Sequence, residues 1–102
     1  MVSLENKITQ IRKRDGRIVS FDQSKITVAI RKALEASEES KSKTKAEKLS
    51  DEAVILLNKK FHARSIPAVE EMQDIVEEAL MRAHLAKTAK AYILYREQHR
   101  KI

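Results

Sequence analysis

The 102-residue chain contains no cysteine, a single glycine, a single proline and only four aromatic residues. Without cysteine it has neither a disulfide framework nor a thiolate metal site, which favours a cytosolic protein. Gly16 alone cannot build a glycine-lined phosphate loop, so any bound nucleotide must be held by side chains and helix ends. Because aromatic residues are few, we expect a core of Ile, Leu, Val and Ala and a mostly helical fold.

Long apolar runs are also absent. No segment approaches the roughly 20 apolar residues that a membrane span requires, and residues 1–10 lack the apolar core of a secretory signal. The length fits one domain. We therefore expect a single domain over residues 1–102, with a β cap at residues 7–21 and a helical body at residues 22–100.

Charge is unevenly distributed along the chain, whose formal net charge is +6. Residues 1–32 carry eight basic and three acidic side chains, and residues 85–102 carry five basic and one acidic. The segment between them is acidic, with eight basic and eleven acidic side chains. If the two ends meet in the fold, they form a positive surface that attracts phosphate, whether on a nucleotide or a nucleic acid.

The segment "KITQIRKRDGRIVSFDQSK" predicts a β-hairpin. Alternating apolar residues from Lys7 to Arg12 and the short run "RIVSF" flank Asp15-Gly16, a pair that readily adopts the positive φ angles of tight hairpin turns. Two strands are marginally stable alone, so the hairpin needs a helical body to pack on.

Four helices are predicted after the hairpin. The first runs from about Gln23 to Ala36, where apolar residues recur at spacings of three and four. Asp22, just before it, can cap this helix with its side chain. The polar run "SEESKSKTK" predicts an exposed loop. Thr44 and Glu47 have the spacing of a capping box, so the second helix is expected to begin at Thr44 and continue through Phe61.

The last two helices are predicted from Pro67 and Ala86 onward. Pro67 is suited to the first helical position, and acidic residues follow it near the positive end of the helix dipole. The fourth helix runs to about Gln98, with Ala89, Ile93 and Arg96 on one side. The combined prediction is an α+β fold, with a small N-terminal β-hairpin cap on a four-helix bundle.

Catalytic and metal-binding patterns are scarce. The three histidines, His62, His84 and His99, lack metal-ligand spacing, so we expect no metal site. No sequence resembles a nucleophile elbow, so no catalytic residue is assigned. The third helix has a row of acidic residues opposite its apolar positions, which indicates a solvated helix face. These residues are Glu70, Glu71, Asp74, Glu77 and Glu78.

The basic hairpin is the strongest candidate site. Lys13 and Arg14 would point to opposite faces of a strand, and a compact ammonium together with a forked guanidinium suits a triphosphate. Ile11, Val19 and Ile26 are near enough in sequence to form the walls of a base pocket. Composition leaves three uses open: a nucleic-acid surface, a phosphate clamp for a small molecule, or a solvated turn. The basic residues concerned are Arg12, Lys13, Arg14, Arg17 and Lys25.

The string "ITQIRKRDGRIVSFDQSKITVAIRKAL" resembles the opening of the ATP-cone domain. This nucleotide-binding module occurs at the N-terminus of many ribonucleotide reductase catalytic subunits and in a related transcriptional repressor. The matching pattern is an aliphatic residue, Lys-Arg-Asp-Gly, an aliphatic strand, Phe-Asp and then Lys-Ile. The later segments "SDEAVILLNKKF", "IPAVEEMQDIVEEALM" and "AKAYILYREQHR" also resemble family segments, in the same order.

The resemblance implies a site for ATP or dATP between cap and helices, with Mg²⁺ as a candidate companion ion. Lys13 and Arg14 match phosphate-binding positions of the family. Asp22 matches a polar position that contacts the base, and Lys25 and Ile26 match a polar and an apolar contact at the pocket.

Three later positions are also implied by the resemblance. Arg96 and His99 lie near positions that supply basic contacts in reductase cones, and Gln73 stands where some members carry a histidine. "AKAYILYREQHRKI" resembles the point where anaerobic and cobalamin-dependent reductases continue into their catalytic part. We therefore expect either a domain excised from a reductase or a stand-alone cone.

The implied role is allosteric regulation without chemistry of its own. Different affinities of two quaternary states for ATP and dATP would switch reductase activity, with the catalytic domain or further copies of the chain as partners. One alternative is a nucleotide sensor linked to DNA regulation, although the zinc-ribbon cysteines of the repressor relatives are absent. Another is a basic nucleic-acid-binding module, which the scarcity of stacking aromatic residues disfavours.

Overall fold

A computed structural model describes residues 6–62 and 65–100. A two-stranded antiparallel hairpin is followed by four helices, so the predicted fold class is confirmed. Residues 63–64, shortly after the predicted end of the second helix at Phe61, lie outside the described residues. The elements are β1 (Gln10–Arg12), β2 (Ile18–Ser20), α1 (Gln23–Ala36), α2 (Ser42–Lys60), α3 (Val69–Arg82) and α4 (Ala86–Arg100).

The hairpin turns through a three-residue loop, Arg14–Gly16. The backbone N–H of Gly16 donates to the Lys13 carbonyl at 2.9 Å, and that of Lys13 donates to the Arg17 carbonyl at 2.7 Å. Only Gly16, at φ +90°, is left-handed in this loop, as in three-residue hairpins in which glycine follows a type I turn. The paired residues are Gln10 with Ser20, Ile11 with Val19 and Arg12 with Ile18.

Two details of the hairpin prediction are therefore wrong. The turn is not a two-residue Asp-Gly turn, because Asp15 keeps a negative φ. Lys13 and Arg14 lie outside the two strands, since strand pairing ends at Arg12 and Ile18. Their side chains are consequently not fixed to opposite faces by the strand pleat.

The free edge of β1 docks on the segment that precedes α3. The Arg12 N–H donates to the Pro67 carbonyl at 3.0 Å, and Arg12 forms a parallel bridge with Ala68. This segment is extended, so α3 begins at Val69 and the prediction that Pro67 opens the helix is wrong. Ala68 is the N-cap, and its N–H donates to the Glu71 carboxylate at 2.9 Å.

Helix α1 has the predicted limits and the predicted cap. The carboxylate of Asp22 accepts hydrogen bonds from the Ser24 N–H at 3.0 Å and from the Ser24 hydroxyl at 2.6 Å. Both bonds lie at the first turn, where backbone N–H groups otherwise lack partners. Asp22 is therefore held rigidly at the junction of the hairpin and the bundle.

Helix α2 begins earlier than predicted, at Ser42, so the capping box at Thr44 is wrong and the exposed loop is shorter. Its N-cap is Lys41, which has a left-handed φ of +53° and makes no side-chain cap bond. No glycine or proline interrupts the run before Thr44. The Lys45 ammonium also holds the Glu39 carboxylate at 3.0 Å, which ties the new first turn to the preceding loop.

Helix α4 begins at Ala86 as predicted and extends two residues further, to Arg100. Its buried residues are Thr88, Ala89 and Tyr92, whereas Ile93 is 42% exposed, so the inward face runs through Tyr92 rather than Ile93. The buried Thr88 hydroxyl lies 2.7 Å from that of Ser37, at the end of α1. This contact helps set the rotation that directs Tyr92 inward.

One apolar cluster joins the segment before β1 to all four helices. Its members are mainly aliphatic, as the composition predicts. None of the helices in the described ranges is both long and apolar enough to cross a membrane. The large, fully buried apolar residues include Ile8, Ile30, Leu34, Leu57, Val76 and Leu80.

Replacing the hairpin glycine tests the turn. We expect Gly16→Ala to lower the free energy of unfolding by about 1 kcal/mol, because left-handed backbone is unfavourable for alanine. A Cβ at Gly16 meets no atom within 4 Å, so the cost is conformational rather than steric. Gly16→Asn is the matched control and should cost less, since asparagine tolerates this conformation. Equal urea-unfolding midpoints for wild type and Gly16→Ala would contradict the assigned turn.

Candidate functional site

Two adjoining clefts lie between the hairpin and the helices. The first, here called the inner cleft, has a volume of about 180 Å³ and is bounded by the hairpin, α1, α3 and α4. Its walls are mainly apolar: Ile11 and Val19 from the hairpin, Ile26 and Ala29 from α1, and Met72 from α3. Such a lining suits a flat, weakly polar group such as an aromatic ring.

Charged groups line the inner cleft where the hairpin meets α1. Asp22 and Lys25 belong to this lining. Hydrogen bonds from the Ser24 hydroxyl and backbone N–H lower the pKa of the Asp22 carboxyl below its ordinary value. Both bonds end on Oδ1, and Oδ2 has no hydrogen-bond partner within residues 6–62 and 65–100. An ionised, rigidly held acceptor thus remains available at the inner cleft.

The second cavity, here called the outer cleft, has a volume of about 430 Å³ and lies between the hairpin loop, the first turns of α3 and the end of α4. Lys13, Arg14, Arg17 and His99 give it a basic lining, with Asp15 as its acidic residue.

Part of this charge is already paired within the hairpin loop. Asp15 accepts from the Arg17 backbone N–H at 3.0 Å and from Arg17 Nε at 2.7 Å. These bonds lower the pKa of the Asp15 carboxyl. Lys13 has no ion-pair partner among the described residues, so its ammonium is the freest cation of the outer cleft.

Lys13, Val69 and Gln73 line both clefts, so the two cavities are continuous. The Oε1 atom of Gln73 is buried and has no hydrogen-bond partner among the described residues. A buried acceptor without a donor is costly unless a ligand or water satisfies it. The junction of the clefts is therefore suited to a ligand that carries a donor group.

Helix α4 contributes an aromatic wall that sequence reasoning missed. Tyr92 and Tyr95 line the inner cleft, and their ring centroids lie 6.2 Å apart in a stacked arrangement. The His99 ring lies 4.1 Å from that of Tyr95, and its Nδ1 is 2.9 Å from the Tyr95 carbonyl oxygen. Burial raises the pKa of the Tyr92 phenol. The spacing of three and then four residues was the available signal, since it places all three rings on one helix face.

Arg96 lines neither cleft. Its Nη1 donates to Asp74 at 2.8 Å and to Glu77 at 2.7 Å, and its side chain is only 15% exposed. Nη2 donates to the Glu70 carbonyl at 3.3 Å. Burial lowers the pKa of this guanidinium, but the bonds to the two carboxylates outweigh that effect and raise it.

The acidic face of α3 is therefore not simply solvated, because Asp74 and Glu77 hold Arg96 of the neighbouring helix.

The remaining nine sequence-predicted site residues are brought together by the fold. Seven of them line the inner cleft, and two of these seven, Lys13 and Gln73, also line the outer cleft. The other two, Arg14 and His99, line the outer cleft alone. They are Ile11, Lys13, Arg14, Val19, Asp22, Lys25, Ile26, Gln73 and His99.

No group of three or more potential metal ligands occurs within residues 6–62 and 65–100. The His99 ring packs against that of Tyr95 with the two planes tilted by 35°. The chemistry available at the clefts is thus binding through apolar contact, aromatic stacking, one free carboxylate oxygen and several cations.

Comparison with known proteins gives one family match and two informative relatives. The model of the ATP cone domain matches residues 9–101. A vitamin B12-dependent ribonucleoside-diphosphate reductase of Thermoplasma acidophilum is 44% identical over 100 residues, which cover 93% of this chain and 12% of that protein. A ribonucleoside-diphosphate reductase subunit alpha of Chlamydia pneumoniae is 36% identical over 97 residues, or 90% of this chain and 9% of the relative. The chain spans about a tenth of these relatives.

The ion pairs of Arg96 with Asp74 and Glu77 can be tested by their effect on stability. Arg96→Ala should lower the free energy of unfolding by about 2 kcal/mol, because hydrogen bonds to charged groups are lost and Glu77 remains partly buried without its partner. Arg100→Ala is the matched control on the same helix. Its pair with Glu97 is more than half exposed on both sides, so the loss should stay below about 1 kcal/mol. Equal unfolding midpoints for the two variants in urea would refute the structural role of Arg96.

Proposed function

This chain belongs to the ATP-cone family, and on that premise we propose that it binds ATP or dATP between its hairpin and its helices as a regulatory domain of ribonucleotide reductase. The observation that carries the proposal is the continuity of an apolar, aromatic cleft with a basic one. A nucleotide has the same division, with a flat base at one end and phosphates at the other.

The base is assigned to the inner cleft. Ile11, Val19 and Ile26 offer apolar contact to its faces, and Tyr95 supplies an aromatic edge. The free Oδ2 of Asp22 accepts a hydrogen bond but cannot donate one while the carboxyl is ionised. Adenine presents an exocyclic amino donor, whereas guanine presents a carbonyl oxygen at the corresponding position. Asp22 therefore favours adenine if this edge of the base faces it.

The phosphates are assigned to the outer cleft. Lys13 supplies a compact charge that reaches both clefts, and Arg14 supplies a forked donor for two phosphate oxygens. His99 is a further contact in the outer cleft, whereas Lys25 lies at the inner cleft beside Asp22. The first turn of α3 reaches the outer cleft at Val69, but Glu70 and Glu71 on that turn oppose the anion-favouring end of the helix dipole. Mg²⁺ would arrive coordinated by the phosphates rather than by a protein cage.

Arg96 is assigned a positioning role rather than a contact with the nucleotide. Its guanidinium joins α4 to α3 through Asp74 and Glu77, and Tyr95 and His99 flank it on α4. The pair of helices that it fixes forms the walls of both clefts opposite the hairpin.

The proposed role in the larger protein is allosteric. Both relatives are named as ribonucleoside-diphosphate reductases, and a cysteine-free segment of this size offers no thiol chemistry for such a reaction. The domain would report the ratio of ATP to dATP, and a quaternary state that binds one nucleotide better is favoured when that nucleotide is abundant. The partner is the remainder of a reductase or a second copy of it.

Calorimetric titration of the chain with ATP, dATP and GTP tests the proposal. We expect adenine nucleotides to bind more tightly than GTP, and Lys13→Ala to weaken ATP binding at least tenfold, since a charge-assisted phosphate contact is worth about 1.5 to 3 kcal/mol.

Lys48→Ala is the matched control, because Lys48 is an exposed lysine in a separate groove of α2. It should bind ATP as wild type does. A folded wild-type chain that binds no adenine nucleotide, or equal ATP affinity in Lys13→Ala and wild type, would rule out the proposed site.

A further inference from the structure

One cation of the outer cleft already has an anionic partner in the ligand-free protein. Nη1 of Arg14 lies 3.5 Å from Oε1 of Glu70, and the two side chains are 33% and 50% exposed. This ion pair joins the hairpin loop to the first turn of α3. It is independent of the pair between Arg17 and Asp15, which lies within the loop itself.

Glu70 is held in this position from two sides. The backbone bond from Arg12 to Pro67 and the bridge to Ala68 bring the hairpin against the start of α3. Two residues after Ala68, the backbone carbonyl of Glu70 accepts a bond from Arg96 Nη2 at 3.3 Å. The backbone of Glu70 is thus positioned by the fold, which places its side chain within reach of Arg14.

We propose that Glu70 is a built-in competitor for Arg14, so that phosphate binds by displacing a carboxylate from the guanidinium. The inference rests on the proposed function and adds a regulatory contact to the same site. In the empty protein, the pair closes the loop against α3. In the filled protein, Arg14 turns to phosphate, and the side-chain link between the hairpin and α3 is lost.

The ion pair between Arg14 and Glu70 is weak enough for a phosphate group to displace it. A half-exposed ion pair contributes little because water and salt screen it. A phosphate group offers a guanidinium two oxygens and more negative charge than one carboxylate, so the exchange is favourable for a ligand that reaches Arg14. Glu70 therefore lowers affinity modestly and keeps Arg14 away from weaker anions.

Affinity measurements on charge-neutral variants test the competition. We expect Glu70→Gln to bind ATP about two- to fivefold more tightly than wild type, which corresponds to the strength of an exposed ion pair. Glu71→Gln is the matched control, because it removes the same charge from the adjacent residue. Its amide oxygen still accepts the bond from the Ala68 N–H, so any change reports general electrostatics alone and should be smaller.

The decisive comparison uses a second background. If Glu70 acts through Arg14, the gain from Glu70→Gln disappears in a protein that already carries Arg14→Gln. Simple repulsion between Glu70 and phosphate would instead leave the gain intact. Thermal unfolding of each variant confirms that the compared proteins are folded. Because the Glu70 side chain is half exposed, its replacement by glutamine should not impair folding. Glu70→Ala is a second variant, with the same expected increase in ATP affinity.

The outcomes separate this inference from the proposed function. If wild type binds ATP but Glu70→Gln binds equally or less tightly, the competition is overturned and the nucleotide site stands. The competition is likewise overturned if the gain persists fully in the Arg14→Gln background. If wild type binds no adenine nucleotide, the proposed function falls and the inference falls with it.

Discussion

The clefts depend on the docking of β1 against the segment before α3, where the Arg12 N–H donates to the Pro67 carbonyl at 3.0 Å. A two-stranded hairpin has a free edge and little stability alone. This bond and the bridge to Ala68 pair that edge with the segment before α3. The hairpin is thereby fixed above the helices at a distance that leaves room for a ligand. The same docking brings the hairpin loop to the first turn of α3, where Arg14 meets Glu70.

Sequence reasoning succeeded where the signal was local. Asp22 is the cap of α1, as a side-chain acceptor before a periodic apolar run predicts, and Gly16 supplies the left-handed residue of the turn. Prediction failed where tertiary contacts decide the outcome. Pro67 is extended because its carbonyl receives β1, which no local preference of proline indicates. The sequence also left open which side of α4 turns inward, since that is set by packing against α1.

The candidate site shows the same division. Residues clustered in the hairpin and α1 could be assigned from the sequence, because few residues separate them. The contributions of Tyr92 and Tyr95 required knowledge of which face of α4 turns inward. The basic ends of the chain meet only in part: His99 reaches the outer cleft, whereas the acidic face of α3 neutralises Arg96. Acidic residues of the middle segment thus organise the site instead of merely solvating the protein.

In the proposed complex, adenine nucleotide binds between the hairpin and the helices, with its phosphates near the loop. Mapping backbone amide chemical shifts in an NMR titration with ATP tests this most directly. We predict saturable changes concentrated at Lys13, Asp22, Gln73 and Tyr95, with little change along the exposed face of α2. Saturable changes confined to α2 near Lys48, with an unperturbed hairpin, would contradict it.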